Sequence, residues 1–159
     1  MEKPRPVNLE ATIRSVCAAK AEQSVSIDVK LTAGVYGMGH SDQLEHVIGH
    51  LVQNALDATA GKGRVSISLR RDDDSAVIEV VDNGVGMTPE FVRDRLFKPF
   101  QTTKATGMGV GMYESSQYVA GLGGRIVVES MPDVGTQVRV LLPIGKDSAA
   151  AALEPKETA

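Results

Sequence analysis

Two β-branched runs, RVSISLRR (64–71) and AVIEVVD (76–82), flank Asp72, Asp73, Asp74 and Ser75, and no other feature constrains the fold as strongly. Apolar residues at a period of two give a strand one core-facing side, and the short acidic link suits a hairpin loop. A hairpin with one apolar face needs a cover, and the cover lies just upstream. From Ser41, the residues Leu44, Val47, Ile48, Leu51, Val52 and Ala55 recur at i, i+3, i+4 and i+7, predicting an amphipathic helix that ends before Gly61.

The rest of the chain extends this layer. Leu9, Ile13 and Val16 predict a helix over 9–22, and SVSIDVKL alternates Val25, Ile27, Val29 and Leu31 as a half-buried strand. Gly34, Gly37 and Gly39 are expected to form a loop. Thr88-Pro89-Glu90 combines a capping hydroxyl, a proline at the first helical position and an early acid, so a short helix is expected from Pro89 to Leu96. A further helix through YESSQYVAGLG and two strands, RIVVES and TQVRVLLP, complete the domain. Interleaved strands and helices with hairpins predict an α+β fold: a two-layer sandwich whose mixed, mostly antiparallel sheet carries helices on one face. At 159 residues a single domain is expected: an extension over 1–6, a folded unit over 7–145 and a mobile tail over 146–159.

The formal net charge of −3 points away from nucleic acid. The single cysteine, Cys17, precludes an intrachain disulfide and reads as a small helix residue. No run approaches the ~20 apolar residues of a membrane span, and MEKPRPVNLE has no apolar leader core, so a cytoplasmic domain without membrane contact is expected.

Three stretches hold the polar chemistry. On the helix that starts at Ser41, His46, His50, Asn54 and Asp57 align away from the apolar stripe. A solvated face would favour long Lys, Glu or Arg, whereas an amide oxygen suits a hard cation shared with phosphates; composition leaves both readings open. DNGVG places an acid and two glycines at a strand mouth, where Asp82 could accept a ligand hydrogen bond, although an Asx-type turn explains the sequence as well. In TTKATGMGVGM, Gly107, Gly109 and Gly111 precede a helix whose free amides suit phosphate, and Thr102, Thr103 and Lys104 add donors and charge. The P-loop and dinucleotide fingerprints are absent, as are the zinc-protease helix motif and the nucleophile elbow.

The order of these elements resembles the ATP-binding catalytic domain of bacterial sensor histidine kinases, in the superfamily (Bergerat fold) that includes gyrase B, heat-shock chaperone and mismatch-repair ATPases. HVIGHLVQNALDA looks like its asparagine box, DNGVGM its first glycine box, LFKPF its phenylalanine box, GMGVG its second glycine box and GTQVRVLLP its closing strand. The match spans about residues 7–143. PFQTTK further resembles the nitrogen-regulator subgroup and the exosortase-linked (PEP-CTERM) kinases. The resemblance implies that Asp82 accepts from the adenine amino group, that Gly84 and Gly86 leave the base room, and that Asn54 holds Mg²⁺. It implies a lid over 101–108, ordered around nucleotide. Further nucleotide contacts are implied at Asp57, Met87, Thr102, Thr103, Lys104, Gly107, Gly109, Val110, Gly111 and Thr136, with ADP as the product.

Two positions depart from the family pattern. His50 stands where hydrolytic relatives carry glutamate and sensor kinases usually asparagine, so its role is open. Asp57 replaces a lysine common in the kinases. No histidine here is followed by an acid, so the phosphoacceptor is expected on a separate dimerisation domain, with a response-regulator receiver downstream and this domain monomeric. A stand-alone serine kinase and anti-sigma factor of the same fold, or a nucleotide-binding module without catalysis, are the other readings.

Overall fold

The protein was analysed as a computed structural model, which describes residues 2–20, 26–59, 62–98 and 111–145. Eleven elements are seen among them: β1 (Arg5–Asn8), α1 (Leu9–Ala19), β2 (Ile27–Leu31), β3 (Tyr36–Gly39), α2 (Ser41–Thr59), β4 (Val65–Asp72), β5 (Ser75–Asp82), α3 (Pro89–Asp94), α4 (Gly111–Gly121), β6 (Arg125–Met131) and β7 (Gly135–Gly145). The strands form one sheet in the order β1-β3-β7-β5-β4-β2, with β6 also paired to β7. Only β2 and β4 run parallel; the other pairings are antiparallel. At 11 residues, β7 is long enough to pair along one edge with β6 near its start and with β3 at its end, while β5 occupies the other edge.

The central hairpin forms as the alternation predicts. β4 and β5 pair from Val65↔Asp82 to Asp72↔Ser75, and the link tightens to Asp73 and Asp74. Asp73 takes a left-handed φ of 54°, which a short acidic residue tolerates. The helices cover one face: Leu44, Val47, Ile48, Leu51, Val52 and Ala55 of α2 meet Val65, Ile67, Leu69, Ile78, Val80, Val138, Val140 and Leu142 of the sheet in one core. At α1, the Asn8 Oδ1 accepts from Ala11 N at 3.1 Å, and at α3 the Thr88 Oγ1 accepts from Phe91 N at 3.1 Å.

The structure corrects two expectations. The segment through Gly37 and Gly39 is not a loop but strand β3. A Cβ on Gly37 would lie 2.9 Å from Leu9, and one on Gly39 2.6 Å from Leu44, so these glycines let the strand lie close beneath α1 and α2. The proline-bearing start contains β1, an edge strand in which Pro6 stands opposite Met38. Strand β2 also lies at an edge, which leaves Val29 of the expected buried set 38% exposed.

Candidate functional site

Asp82 ends β5 on the helix-covered side of the sheet, in a cross-strand row with Val65, Thr136 and Ser130. It is buried, and burial pushes its carboxyl above the ordinary carboxylate range, against the backbone amides of Gly84 and Thr136, which pull it down. The Gly84 amide donates to Asp82 Oδ1 at 2.8 Å, which is the Asx-type turn the sequence allowed. Beside the acid, Met87 N donates to Ser130 Oγ at 2.8 Å, and Ser130 Oγ lies 2.7 Å from Thr136 Oγ1. Thr136 is 3% exposed and Met87 2%, so these groups form a mostly dry, sparsely polar wall.

The glycines of this loop are required first by protein packing. A Cβ on Gly84 would overlap the Ala58 carbonyl, and one on Gly86 (φ 70°) would overlap the Met131 carbonyl. Without side chains in the way, Val85 N reaches Ala58 O at 3.1 Å and Asp133 N reaches Val85 O at 2.8 Å. The loop is thereby pinned to the last turn of α2 on one side and to the β6–β7 hairpin on the other. Ala58 lies one turn beyond Asn54, so these bonds bring Asp82 and Asn54 to the same end of the sandwich.

Asn54 is not on an exposed stripe. It is 5% exposed, and its Nδ2 is fully buried with no hydrogen-bond partner among the described residues. An unpaired buried amide costs about 1–3 kcal/mol, and native structures retain such a group where something else is to meet it. Amide orientation is a matter of assignment, so the same head group can present its oxygen to a hard cation. Asp57 is exposed and accepts from Gln53 Nε2 at 2.9 Å, which turns it along the helix surface.

Toward the start of α2 a cleft of about 550 Å³ opens between α1, α2 and α4, lined among others by Lys20, His46, His50, Gln53, Gly111 and Glu114. His50 is half-buried here, and burial keeps its imidazole below its usual pKa. Its ring occupies the space a Cβ on Gly111 would need. A second cavity, about 440 Å³, follows Asp28, Ser66, Val81, Gln137 and Glu129 and is also lined by Asp82, Ser130 and Thr136, so it borders the polar groups above.

The structure thus brings Asn54, Asp82, Gly84, Gly86, Met87 and Thr136 to one end of the helix-covered face, whereas Gly111 lies against His50 further toward the start of α2. Thr102, Thr103, Lys104, Gly107, Gly109 and Val110, with the lid over 101–108 and all of PFQTTK, lie outside the described residues. Ser130 was not singled out in the sequence. RIVVES shows a strand, but nothing local says that this serine will face the glycine loop. Among the described residues no group of three or more His, Cys, Asp or Glu could hold a metal.

Residues 39–146 match the family of histidine kinase-, DNA gyrase B-, and HSP90-like ATPases. Sporulation kinase D of Bacillus subtilis (strain 168) is 38% identical over 103 residues, 65% of this chain and 20% of that protein. The C4-dicarboxylate transport sensor protein DctB of Rhizobium meliloti (strain 1021) is 38% identical over 111 residues, 69% of this chain and 18% of its own. The chain therefore spans about a fifth of each of these two relatives. Among solved structures, a mycobacterial sensor histidine kinase, MprB, superposes with a TM-score of 0.78 at 23% identity, over 91% of this chain and 99% of the other. Histidine kinase ThkA in complex with the response regulator protein TrrA gives 0.75 at 21% identity, over 88% and 41%.

Proposed function

The chain belongs to the histidine kinase-, DNA gyrase B-, and HSP90-like ATPase family, as an ATP-binding catalytic domain of the sensor-kinase type, and from that premise we propose that it transfers the γ-phosphoryl of Mg·ATP to a histidine on a separate dimerisation domain. We assign the catalytic unit to residues 7–145. The observation that carries the reading is the burial of two polar residues no core requires, Asn54 on α2 and Asp82 on β5, at the end where the glycine loop ties those elements together.

In this reading Asp82 accepts from the adenine amino group, which selects adenine over guanine, and Thr136 supports it from the neighbouring strand. Met87 supplies an apolar surface for the base. Asn54 would hold Mg²⁺ through its amide oxygen. The cation would neutralise phosphate charge, the chief requirement of phosphoryl transfer besides positioning. Thr102, Thr103, Lys104, Gly107, Gly109, Val110 and Gly111 would receive the phosphates, with Asp57 at the edge. No histidine in the sequence is followed by an acid, which supports an acceptor elsewhere. A response-regulator receiver would take the phosphoryl group next; the ThkA–TrrA complex supplies the precedent for such a partner. Among the described residues no helix is long and apolar enough to cross a membrane, and we place the domain in the cytoplasm, where ATP is, as a monomer.

Calorimetric titration with ATP and GTP in Mg²⁺, beside an Asp82→Ala control, tests the reading. ATP binding that GTP does not share and the control lacks is expected. Equal binding of both nucleotides, or of neither, refutes the adenine assignment.

A further inference from the structure

His50 is the polar residue near this site that the family pattern does not explain. Four residues before Asn54, it projects from the same side of α2, about 6 Å nearer the helix start. Its ring lies against Gly111, the first residue of α4, whose first-turn N–H groups lack intrahelical partners and favour anions. Imidazole always carries at least one N–H, yet His50 makes no hydrogen bond to another described residue. It opens instead into the 550 Å³ cleft. The charges facing it are mixed: Lys20 from α1, His46 and Asp57 from α2, and Glu114 from α4.

Resting on the nucleotide reading above, we propose that His50 determines the preference for ATP over ADP: wedged between α2 and the start of α4, its imidazole donates an N–H to the terminal phosphoryl group. Asn54 and the adenine wall serve ATP and ADP alike. His50, one turn further along α2, meets the group that only ATP carries. The ring also explains why Gly111 must be glycine, since any side chain there would drive the donor out of the cleft.

The test is titration of this chain, unaltered and as His50→Leu, His50→Asn and Gly111→Ala variants, with Mg·ATP and Mg·ADP. Leucine fills the space without a donor; asparagine restores a donor. Leucine is expected to weaken ATP binding on the order of tenfold, as loss of one charge-assisted hydrogen bond would, with ADP within about twofold. Asparagine should recover most of the preference, and Gly111→Ala should weaken ATP binding at least as much as leucine does. Equal weakening of ATP and ADP, or identical behaviour of leucine and asparagine, overturns the proposal and reduces His50 to packing. If the unaltered chain binds both nucleotides and Asp82→Ala loses both while His50→Leu changes nothing, this assignment alone fails. If the unaltered chain binds neither, the nucleotide reading fails and takes this one with it.

Discussion

At Asp82, function and stability pull in opposite directions. Burial raises its pKa, so the folded state holds a proton that the unfolded chain has already released. The ionised carboxylate therefore costs stability at neutral pH, and that cost fades as pH falls through the folded pKa toward the ordinary carboxylate value. Asp82→Asn, which can keep the bond from Gly84, should melt higher than the unaltered chain at pH 7 and lose selective ATP binding. The stability gap should close below about pH 4. Urea midpoints across pH would show it; a gap that widened on acidification would contradict the burial argument. His50 has the opposite charge type: its lowered pKa means that protonation opposes folding, so its contribution is whole above about pH 6.5 and declines as pH drops toward the folded value. His50→Asn should flatten that limb of the stability profile. Asn54→Leu replaces an orphaned amide with carbon of similar size. It is expected to raise ligand-free stability by about 1 kcal/mol while lowering Mg·ATP affinity. A fall in stability would mean that the amide has a partner after all.

At the scale of elements, the glycine loop between β5 and α3 is tied to α2 and to the β6–β7 hairpin by backbone bonds at Val85. Gly86→Ala must adopt a left-handed φ and push against the Met131 carbonyl, a cost of at least about 1–2 kcal/mol. The loop should detach from the β6–β7 hairpin, visible as faster amide exchange at Asp133, whose N–H is held by Val85 O. The helices and the central hairpin were legible because their signals are local: an apolar period, a capping threonine before a proline, a short acidic link between β-branched runs. Strand β3 was not legible, because the pressure that makes Gly37 and Gly39 glycines comes from Leu9, Leu142 and Leu44, and sequence distance hides it. The same glycines read alone look like a loop.

For the molecule as a whole, ligand binding and folding are linked. Mg·ATP at a hundred times its Kd should stabilise the chain by about 2.7 kcal/mol, provided the unfolded chain does not bind it. Thermal melts with ATP, ADP and GTP should rank in that order, with GTP nearly inert; a GTP shift equal to that of ATP would remove Asp82 from base recognition. By itself the amino-acid sequence determined the number and kind of most elements, the α+β class, the face of α2 that meets the sheet, and the candidate residues, because each depends on side chains a few positions apart. Only the tertiary structure decided that Asn54 is buried with an unmet amide, that Ser130 joins Thr136 behind the glycine loop, that Gly84 and Gly86 exist for the carbonyls of Ala58 and Met131, and that His50 rests on Gly111. Those facts depend on distances between segments far apart in the chain, which are set when the sheet orders its strands and the core closes.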